Sequence, residues 1–240
     1  MRYLMVGNGR VGANMTAYLH AFGHEVAPLR RTKTPAQEDA AASAIREADI
    51  IMVAIPDGAI ADWFDQWREI IGKRAVIHFS GALTVAGMHG FHPLYSFPKG
   101  VLPTYEMEKI PFACSPEGPS FTEIFPGAPN KSFMVSDDER ARYHALAVIS
   151  GNFVSYIWNE TAKELDGYAG EGESGLLLPY IDSIVARFQE NPYASLTGPV
   201  ARHDRATIDA NLNALESDPK LKALYEAFVD IAWPEYHDEP

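Results

Sequence analysis

Residues 2–12 read RYLMVGNGRVG, an apolar run that ends in a glycine-rich turn. The apolar part predicts a short buried strand over 2–7. The residues after the turn that recur at helical spacing are Val11, Met15, Leu19 and Phe22. Gly23 stands where a C-cap glycine ends such a helix. The sequence therefore opens with a predicted strand, turn and amphipathic helix, the order that a phosphate-binding βα unit requires.

The glycines follow the pattern Gly-x-Gly-x-x-Gly, in which each glycine has its own role. Gly7 permits a tight turn, Gly9 lets a pyrophosphate approach the backbone, and Gly12 lets helix and strand pack closely. The helix N-terminus adds free N–H groups and the positive end of its dipole. We predict that a dinucleotide binds at Gly7, Asn8, Gly9, Arg10, Val11 and Gly12. The alternative is a glycine turn that binds no ligand.

Strand and helix patterns alternate along the first part of the chain. We predict further strands at about 25–29, 50–55 and 75–79, and helices at about 35–48 and 60–71. The pattern is weaker over 81–135, where short strands are expected at 112–114 and 132–135. Such alternation is typical of a parallel sheet covered by helices. The predicted fold class is therefore α/β, with an N-terminal Rossmann-type domain.

The last part of the chain has helical patterns only. Ser136 and Glu139 form a capping-box pattern that opens a helical stretch to about Leu165. Later helices are predicted at about 174–189, 204–216 and 219–231. We predict an NADP-binding domain over 1–150 and a smaller all-α domain for substrate and dimerisation over 151–240.

Composition narrows the classes of function. The net charge of −12 repels phosphate backbones, so neither nucleic acid nor an anionic membrane is an expected partner. Cys114 is the only cysteine, which excludes an internal disulfide and a cysteine zinc cluster, and no metal site is predicted. We find no secretory signal and no apolar run long enough to span a bilayer. A soluble, cytoplasmic protein is the expectation.

The end of the second predicted strand is basic. Proteins that select NAD usually carry an acidic residue there, which binds the ribose 2′-hydroxyl. Here the chain has Arg30, Arg31, Thr32 and Lys33. Cations fit a 2′-phosphate better than a hydroxyl, so Arg30, Arg31 and Thr32 predict NADP(H) as the cofactor. The alternative is a solvated basic loop.

Two more segments end predicted parallel strands, at the sheet edge where ligands bind in open α/β folds. Ile55, Pro56 and Asp57 follow one strand and are predicted to line the nicotinamide or its ribose. Ser80 follows the next strand. Its hydroxyl is predicted to bond the nicotinamide amide or the substrate, and a turn-forming serine is the alternative.

These features together resemble the 6-phosphogluconate-dehydrogenase-like superfamily, through the glycine turn, the basic second strand and the segments 53–57 and 78–82. The chain is more closely similar to a branch of Rossmann-like NADP oxidoreductases with a C-terminal helical domain of unknown function, through 90–97, 150–153 and 196–202. The resemblance implies a substrate held between the sheet edge and the helical domain, and a homodimer formed through that domain.

The chain departs from the wider superfamily at two places. The lysine-and-asparagine helix signature of the hydroxyacid dehydrogenases is absent, since Asn159 and Lys163 stand in the opposite order. Arg202-His203-Asp204 stands where close relatives carry Arg-Gly-Asp. The resemblance therefore implies no particular substrate.

Hydride transfer needs a hydrogen-bond donor or acid near the carbonyl or imine that gains charge. His92 precedes Pro93, which holds it out of helical geometry, in a predicted loop across the cofactor edge. His92 is thus a candidate acid–base group or substrate donor. The alternative is a structural histidine bonded to backbone.

Ser80, Asn152 and Arg202 complete the candidate catalytic set. Asn152 interrupts an apolar helical stretch, and its amide is predicted either to reach substrate or nicotinamide or to bridge two helices. Arg202 is predicted to clamp a substrate carboxylate, and a surface or dimer-contact salt bridge is the alternative. Asp204 is predicted to cap the helix that follows.

The sequence thus predicts an NADP(H)-dependent reductase or dehydrogenase that acts on a small keto or imino acid. The first alternative is a sensor or assembly protein that binds NADP(H) without turnover. The second is an S-adenosylmethionine methyltransferase, a class that usually has an acidic residue where this chain has arginines.

Overall fold

The structure is a computed structural model that describes residues 1–30, 34–170 and 174–237. The chain divides into two compact units, Met1–Ile157 and Trp158–Pro240. The first unit contains the β-sheet. The second consists of helices and turns.

The strands of the first unit form one sheet. They are β1 (Arg2–Val6), β2 (Glu25–Leu29), β3 (Ile50–Val53), β4 (Ala75–His78), β5 (His89–Pro93), β6 (Phe112–Cys114) and β7 (Ser132–Met134). In the described chain this sheet has seven strands, in the order β2-β1-β3-β4-β5-β6-β7. Neighbours pair in parallel except β5 and β6, which are antiparallel. The predicted α/β class, with a largely parallel sheet followed by helices, is confirmed.

Helices of the first unit pack on both faces of the sheet, and further helices follow in the second unit. They are α1 (Arg10–Ala21), α2 (Pro35–Glu47), α3 (Ile60–Ile71), α4 (Thr104–Met107), α5 (Phe121–Ile124), α6 (Arg140–Ala147), α7 (Val154–Asp166), α8 (Leu178–Glu190), α9 (Arg205–Ala214) and α10 (Pro219–Ala232). Along β1, Tyr3 and Met5 join the cluster under α1, while Leu4 and Val6 join the cluster under α2 and α3. Alternate side chains of β1 therefore pack on opposite faces, as a central strand requires.

The predicted and observed elements differ most near the ends of strands. The predicted strand over 50–55 ends at Val53, so Ala54 and Ile55 already belong to the connection that follows. The chain at His89–Pro93 forms β5, so the prediction that His92 lies in a loop is wrong. β5 pairs with β4 on one side and with β6 on the other, and His92 pairs with Ala113 of β6.

The helical stretch predicted after Ser136 also begins later than expected. Ser136 bonds the Glu139 carboxylate through its hydroxyl, but α6 starts at Arg140. Glu139 is the N-cap residue and its side chain caps no N–H group. A capping box at Ser136 is therefore not formed.

The second unit has a small core of its own. Its buried side chains are Val200, Ile208, Val229, Trp233 and Tyr236. Asp204 accepts a hydrogen bond from the Thr207 N–H and so caps α9, as predicted. Within the described ranges, none of the helices is long and apolar enough to cross a membrane.

Candidate functional site

The glycine turn joins β1 to α1 at the carboxyl edge of the parallel strands. Gly7 has a φ angle of +99°, and a Cβ atom there would overlap the carbonyl oxygen of Ala54. A Cβ atom on Gly12 would lie 2.7 Å from the carbonyl oxygen of Gly7. At Gly9, by contrast, no atom of the described chain lies within 4 Å of such a Cβ. The protein itself fills the space at two of the glycines and leaves the third open.

The N-terminus of α1 keeps its hydrogen-bonding capacity. Gly9 is the N-cap residue, and no side chain of the described chain caps the helix. The first N–H groups of a helix have no partner within the helix, so they are available to an outside acceptor. Asn8 and Arg10 beside them are exposed, whereas Val11 packs on the core.

Asn14, one helical turn further, fixes a neighbouring loop. Its buried side chain accepts a 2.8 Å hydrogen bond from the Leu102 N–H and donates a 3.2 Å bond to the Gly100 carbonyl. Arg10 donates a weaker 3.4 Å bond to the Phe97 carbonyl. The loop after β5 is therefore held against the helix that follows the glycine turn.

The residues after β3 and β4 lie at the same edge. Ile55 packs against the core under α2 and α3, while Pro56 and Asp57 are exposed. Ser80 is buried and its hydroxyl bonds to Asp57 and to the turn that follows it. These bonds correspond to the turn-forming alternative for Ser80.

A cavity of about 680 Å³ opens beside the carboxyl end of β5. Its walls come from the segment 92–96 and from the helical segment 143–152. Two predicted site residues, His92 and Asn152, line it together. The described lining holds apolar groups, hydroxyls and two histidines, but no Lys, Arg, Asp or Glu.

His92 and Tyr143 meet in this cavity. The Tyr143 hydroxyl lies 2.8 Å from Nδ1 of His92, and the two rings pack edge to face with centroids 5.6 Å apart. Burial, together with His144 and Arg140, lowers the pKa of His92 to about 4, against an opposing effect of Asp57. Burial raises the pKa of Tyr143 to about 12. At neutral pH the imidazole is therefore uncharged and the phenol keeps its proton.

Arg140 supplies the positive charge behind this pair. Its side chain is 1% exposed and donates from Nη2 to the Gly90 carbonyl, at 3.0 Å, and to the Ser115 hydroxyl, at 2.9 Å. Asp137 lies 3.8 Å from its Nε atom and is itself exposed. The charge of Arg140 contributes to the lowered pKa of two histidines, His78 and His92.

Asn152 lies in an unusual part of the helix. Residues Val148–Phe153 form a π-helical segment between α6 and α7. Such segments carry wider turns and often occur at functional sites. Ser150, Gly151 and Asn152 of this segment are exposed and line the cavity. Asn152 is exposed, so burial does not force its amide to find a partner within the protein, and its role stays a prediction.

The remaining predicted residues are in other places. Arg30 follows β2 and is exposed, whereas Arg31 and Thr32 lie outside the described residues. Arg202 belongs to the second unit, where it is exposed at the end of the short turn Val200–Arg202. Its role stays a prediction.

Tyr143, His144 and Arg140 were missed by the sequence analysis. Arg140 is position i, Tyr143 is i+3 and His144 is i+4, and that spacing places all three on one face of α6. Spacing alone gives no sign of a partner, since His92 lies 51 residues away along the chain. A pairing across that distance becomes visible only in the folded structure.

The fold and site define a Rossmann-type α/β unit followed by a helical region. Residues 116–231 match a family described as a domain of unknown function, DUF2520. The resemblance seen in the sequence, to NADP oxidoreductases with a C-terminal domain of unknown function, is thereby confirmed at the level of fold and domain. Among curated protein sequences, none matches this chain significantly.

Solved structures share the fold over nearly the whole chain. A provisionally named NADP oxidoreductase of Bacteroides fragilis is 22% identical, with a TM-score of 0.71, and 99% of this chain covers 98% of that one. An imine reductase of Streptomyces aurantiacus is 15% identical, with a TM-score of 0.61 and coverages of 99% and 94%. Pyrroline carboxylate reductase of Plasmodium falciparum, solved with NADP bound, is 12% identical, with a TM-score of 0.61 and coverages of 99% and 97%. At these identities the likeness shows the fold alone.

Proposed function

We propose that this protein is an NADP(H)-dependent oxidoreductase that transfers hydride to or from a small keto or imino acid. The observation that carries the proposal is the open space at Gly9, above a helix N-terminus that no described side chain caps. Gly7 and Gly12 are needed by the fold, because the chain's own atoms crowd them. Gly9 has no such need, so a bound phosphate accounts for a glycine there.

The residues present fit a dinucleotide. The N–H groups at the start of α1 would bind the pyrophosphate, and the exposed Arg30 would bind a 2′-phosphate, with Arg31 and Thr32 beside it in sequence. Ile55, Pro56 and Asp57 follow β3 at the same edge and would line the nicotinamide side. When bound in reduced form, the cofactor supplies a hydride.

The cavity beside β5 supports a small carbonyl or imine substrate. Its volume of about 680 Å³ falls within the usual range for small-molecule sites. His92 and Asn152 offer hydrogen bonds to the reacting group, while apolar side chains surround the rest. The described lining contains no cation for a carboxylate. On the sequence alone, Arg202 of the second unit stays proposed as a carboxylate clamp.

A substitution at Gly9 tests the cofactor assignment without disturbing the fold. We expect Gly9→Ala to keep its melting temperature, since a Cβ meets nothing there, but to bind NADPH about 10- to 150-fold more weakly. Gly58→Ala, at another open glycine, is the matched control and should change neither property. Nucleotide fluorescence titration measures the affinity. Equal NADPH affinity of the two variants and the natural chain would contradict the proposal.

We also propose that the protein forms a homodimer through its helical domain. In the described chain α8 has no buried residue, and it exposes Leu178, Tyr180, Val185 and Phe188. Burial of these side chains against a second copy would remove apolar surface from water. Light scattering on the natural chain and on Phe188→Glu tests this, since a monomeric natural chain would refute it.

We propose that the protein binds neither nucleic acid nor anionic membranes, because its net charge of −12 repels phosphate groups. A cytoplasmic location is proposed from the sequence, in which no secretory signal is recognised.

A further inference from the structure

We propose that Tyr143 is the proton donor of this oxidoreductase and that His92 restores the proton that Tyr143 gives up. The inference rests on the proposed function, which requires one proton for every hydride delivered to a carbonyl or imine. It assigns the donor to a residue outside the set predicted from the sequence.

The geometry brings the two groups together at the cavity wall. Tyr143 and His92 both line the cavity, and their hydroxyl and Nδ1 atoms are 2.8 Å apart. Phe133 packs edge to face on Tyr143, with ring centroids 5.8 Å apart, and so helps to orient the phenol ring. The hydroxyl is therefore held between a titratable side chain and the space proposed for the substrate.

The charge state of His92 decides which group donates. The groups that act on it are Tyr143, His144 and Arg140 from α6 and, from beyond β3, Asp57. Burial and the neighbours His144 and Arg140 disfavour an imidazolium, so at neutral pH His92 carries one ring proton and can pass it on only as its other nitrogen gains another. Tyr143 keeps its proton under the same conditions and can release it to a strongly basic atom. The phenol is thus the acid, and the imidazole acts behind it.

Reduction of the substrate consumes one hydride and one proton. Hydride arrives at the carbon of the C=N or C=O bond, and the π electron pair moves to the nitrogen or oxygen. That atom takes the proton of the Tyr143 hydroxyl. The Tyr143 oxygen then takes the proton on Nδ1 of His92, while Nε2 of the same ring takes one from water. The net change is one hydride from the reduced cofactor and one proton from water.

Other hydroxyls of the cavity are less suited to this role. Tyr95 also lines the cavity, but it packs edge to face on Phe97, and in the described structure no histidine is bonded to its hydroxyl. Ser96 and Ser150 carry alcohols, which are far weaker acids than a phenol. Tyr95 is therefore the natural comparison for Tyr143, because both place a phenol in one cavity.

The kinetic test compares Tyr143→Phe with Tyr95→Phe, with NADPH and two probe substrates, 2-methyl-1-pyrroline and pyruvate. We expect kcat of Tyr143→Phe to fall about 10²- to 10⁴-fold, the usual contribution of a general acid, with NADPH affinity unchanged. The fall in kcat of Tyr95→Phe should be at least ten times smaller than that of Tyr143→Phe. Equal losses in the two variants, or unaltered turnover by Tyr143→Phe, would overturn the donor while leaving the proposed function in place.

Two further readouts separate a relay from mere packing. Nitrogen NMR of the nucleotide-free protein should show a neutral His92 ring between about pH 6 and 8, with its Nδ1 resonance displaced by Tyr143→Phe. His92→Ala should lose turnover and regain at least tenfold of it when free imidazole is added. An imidazolium at neutral pH, or no rescue by imidazole in folded His92→Ala, would overturn the role of His92. If the natural chain bound NADPH but reduced neither probe, both the proposed reaction and the role of Tyr143 would be refuted. That result would favour the alternative of a sensor that binds NADP(H) without turnover.

Discussion

The hydroxyl of Ser80 donates a 2.7 Å hydrogen bond to Oδ2 of Asp57 and so joins the loop after β4 to the turn after β3. The same oxygen accepts bonds from the N–H groups of Ala82, at 3.3 Å, and Leu83, at 3.2 Å. A serine hydroxyl has one proton and two lone pairs, so its capacity is fully used within the protein. Ser80 therefore shapes the carboxyl edge on which the proposed cofactor site depends.

The first prediction concerns the stability that this link provides. Ser80→Ala should lower the free energy of unfolding by about 1–3 kcal/mol, because two N–H groups near a buried site lose their acceptor. Urea unfolding of the nucleotide-free protein measures the change. Ser96→Ala, at an exposed serine of the same unit, serves as the control and should cost much less. If the natural chain, Ser80→Ala and Ser96→Ala had equal urea midpoints, the hydrogen bonds of Ser80 would contribute nothing to stability.

The second prediction concerns Gly81, which lies against the two histidines of the cavity. A Cβ atom there would overlap Nδ1 of His144 and lie 3.1 Å from Nε2 of His92. Gly81→Ala should displace both rings and lower the free energy of unfolding by about 1–3 kcal/mol, as overpacking does. The displaced ring of His92 should also form a weaker hydrogen bond with Tyr143. The nitrogen NMR signal of His92 measures that change.

Gly100→Ala is the control for Gly81→Ala, since a Cβ at Gly100 meets no atom of the described chain within 4 Å. It should unfold at the same denaturant concentration as the natural chain. A Gly81→Ala protein with natural stability and an unchanged His92 signal would contradict the close packing of the two rings around Gly81.

The early part of the fold could be predicted because its signals are local. β1, α1 and β2 follow one another within the first 29 residues, and periodicity and glycine spacing mark each of them. The end of β3 was misplaced for a physical reason. Ile55 continues the apolar pattern, but it packs in the connection, and the Ala54 carbonyl that precedes it faces Gly7.

β5 and the centre of the candidate site could not be predicted in the same way. The strand His89–Pro93 contains glycine and proline and lacks the apolar alternation of a strand. Its extended shape depends on β4 and β6, and the second of these pairs from some twenty residues further along the chain. Tyr143 and His92 are 51 residues apart in the chain, and the fold brings them together. Long-range pairing, not local pattern, thus places the proposed donor.

The third prediction concerns acid sensitivity. Burial, with a further effect of Arg140, lowers the pKa of His78 from 6.5 to about 4 in the folded state. Between these values the unfolded chain binds a proton that the folded protein does not, so stability rises with pH across this window. Stability should therefore fall as pH drops from about 6.5 to 4, by on the order of 3 kcal/mol from His78.

Unfolding midpoints of His78→Gln and His20→Gln across this pH range test the assignment. His20 is exposed, so its variant should keep the pH dependence of the natural chain. His78→Gln should have a shallower slope, because its side chain cannot take up a proton. The comparison removes the contribution of carboxylates, which all three proteins share. Parallel profiles for His78→Gln and the natural chain would exclude His78 as the source.

The last prediction concerns cofactor selectivity. Arg30 is exposed directly after β2, and a charge-assisted hydrogen bond to a 2′-phosphate contributes about 1.5–3 kcal/mol. Arg30→Ala should therefore weaken NADPH binding about 10- to 150-fold and leave NADH binding nearly unchanged, since NADH lacks that phosphate. Arg68→Ala makes the same change in net charge on α3, where Arg68 pairs with Asp65, and should affect both nucleotides little. Added salt should reduce the NADPH preference of the natural chain more than that of Arg30→Ala, because the variant lacks the charge pair between Arg30 and the 2′-phosphate that salt screens. If Arg30→Ala kept the full preference, the phosphate would have to be recognised by other residues, and a double replacement of Arg31 and Lys33 would be the next comparison.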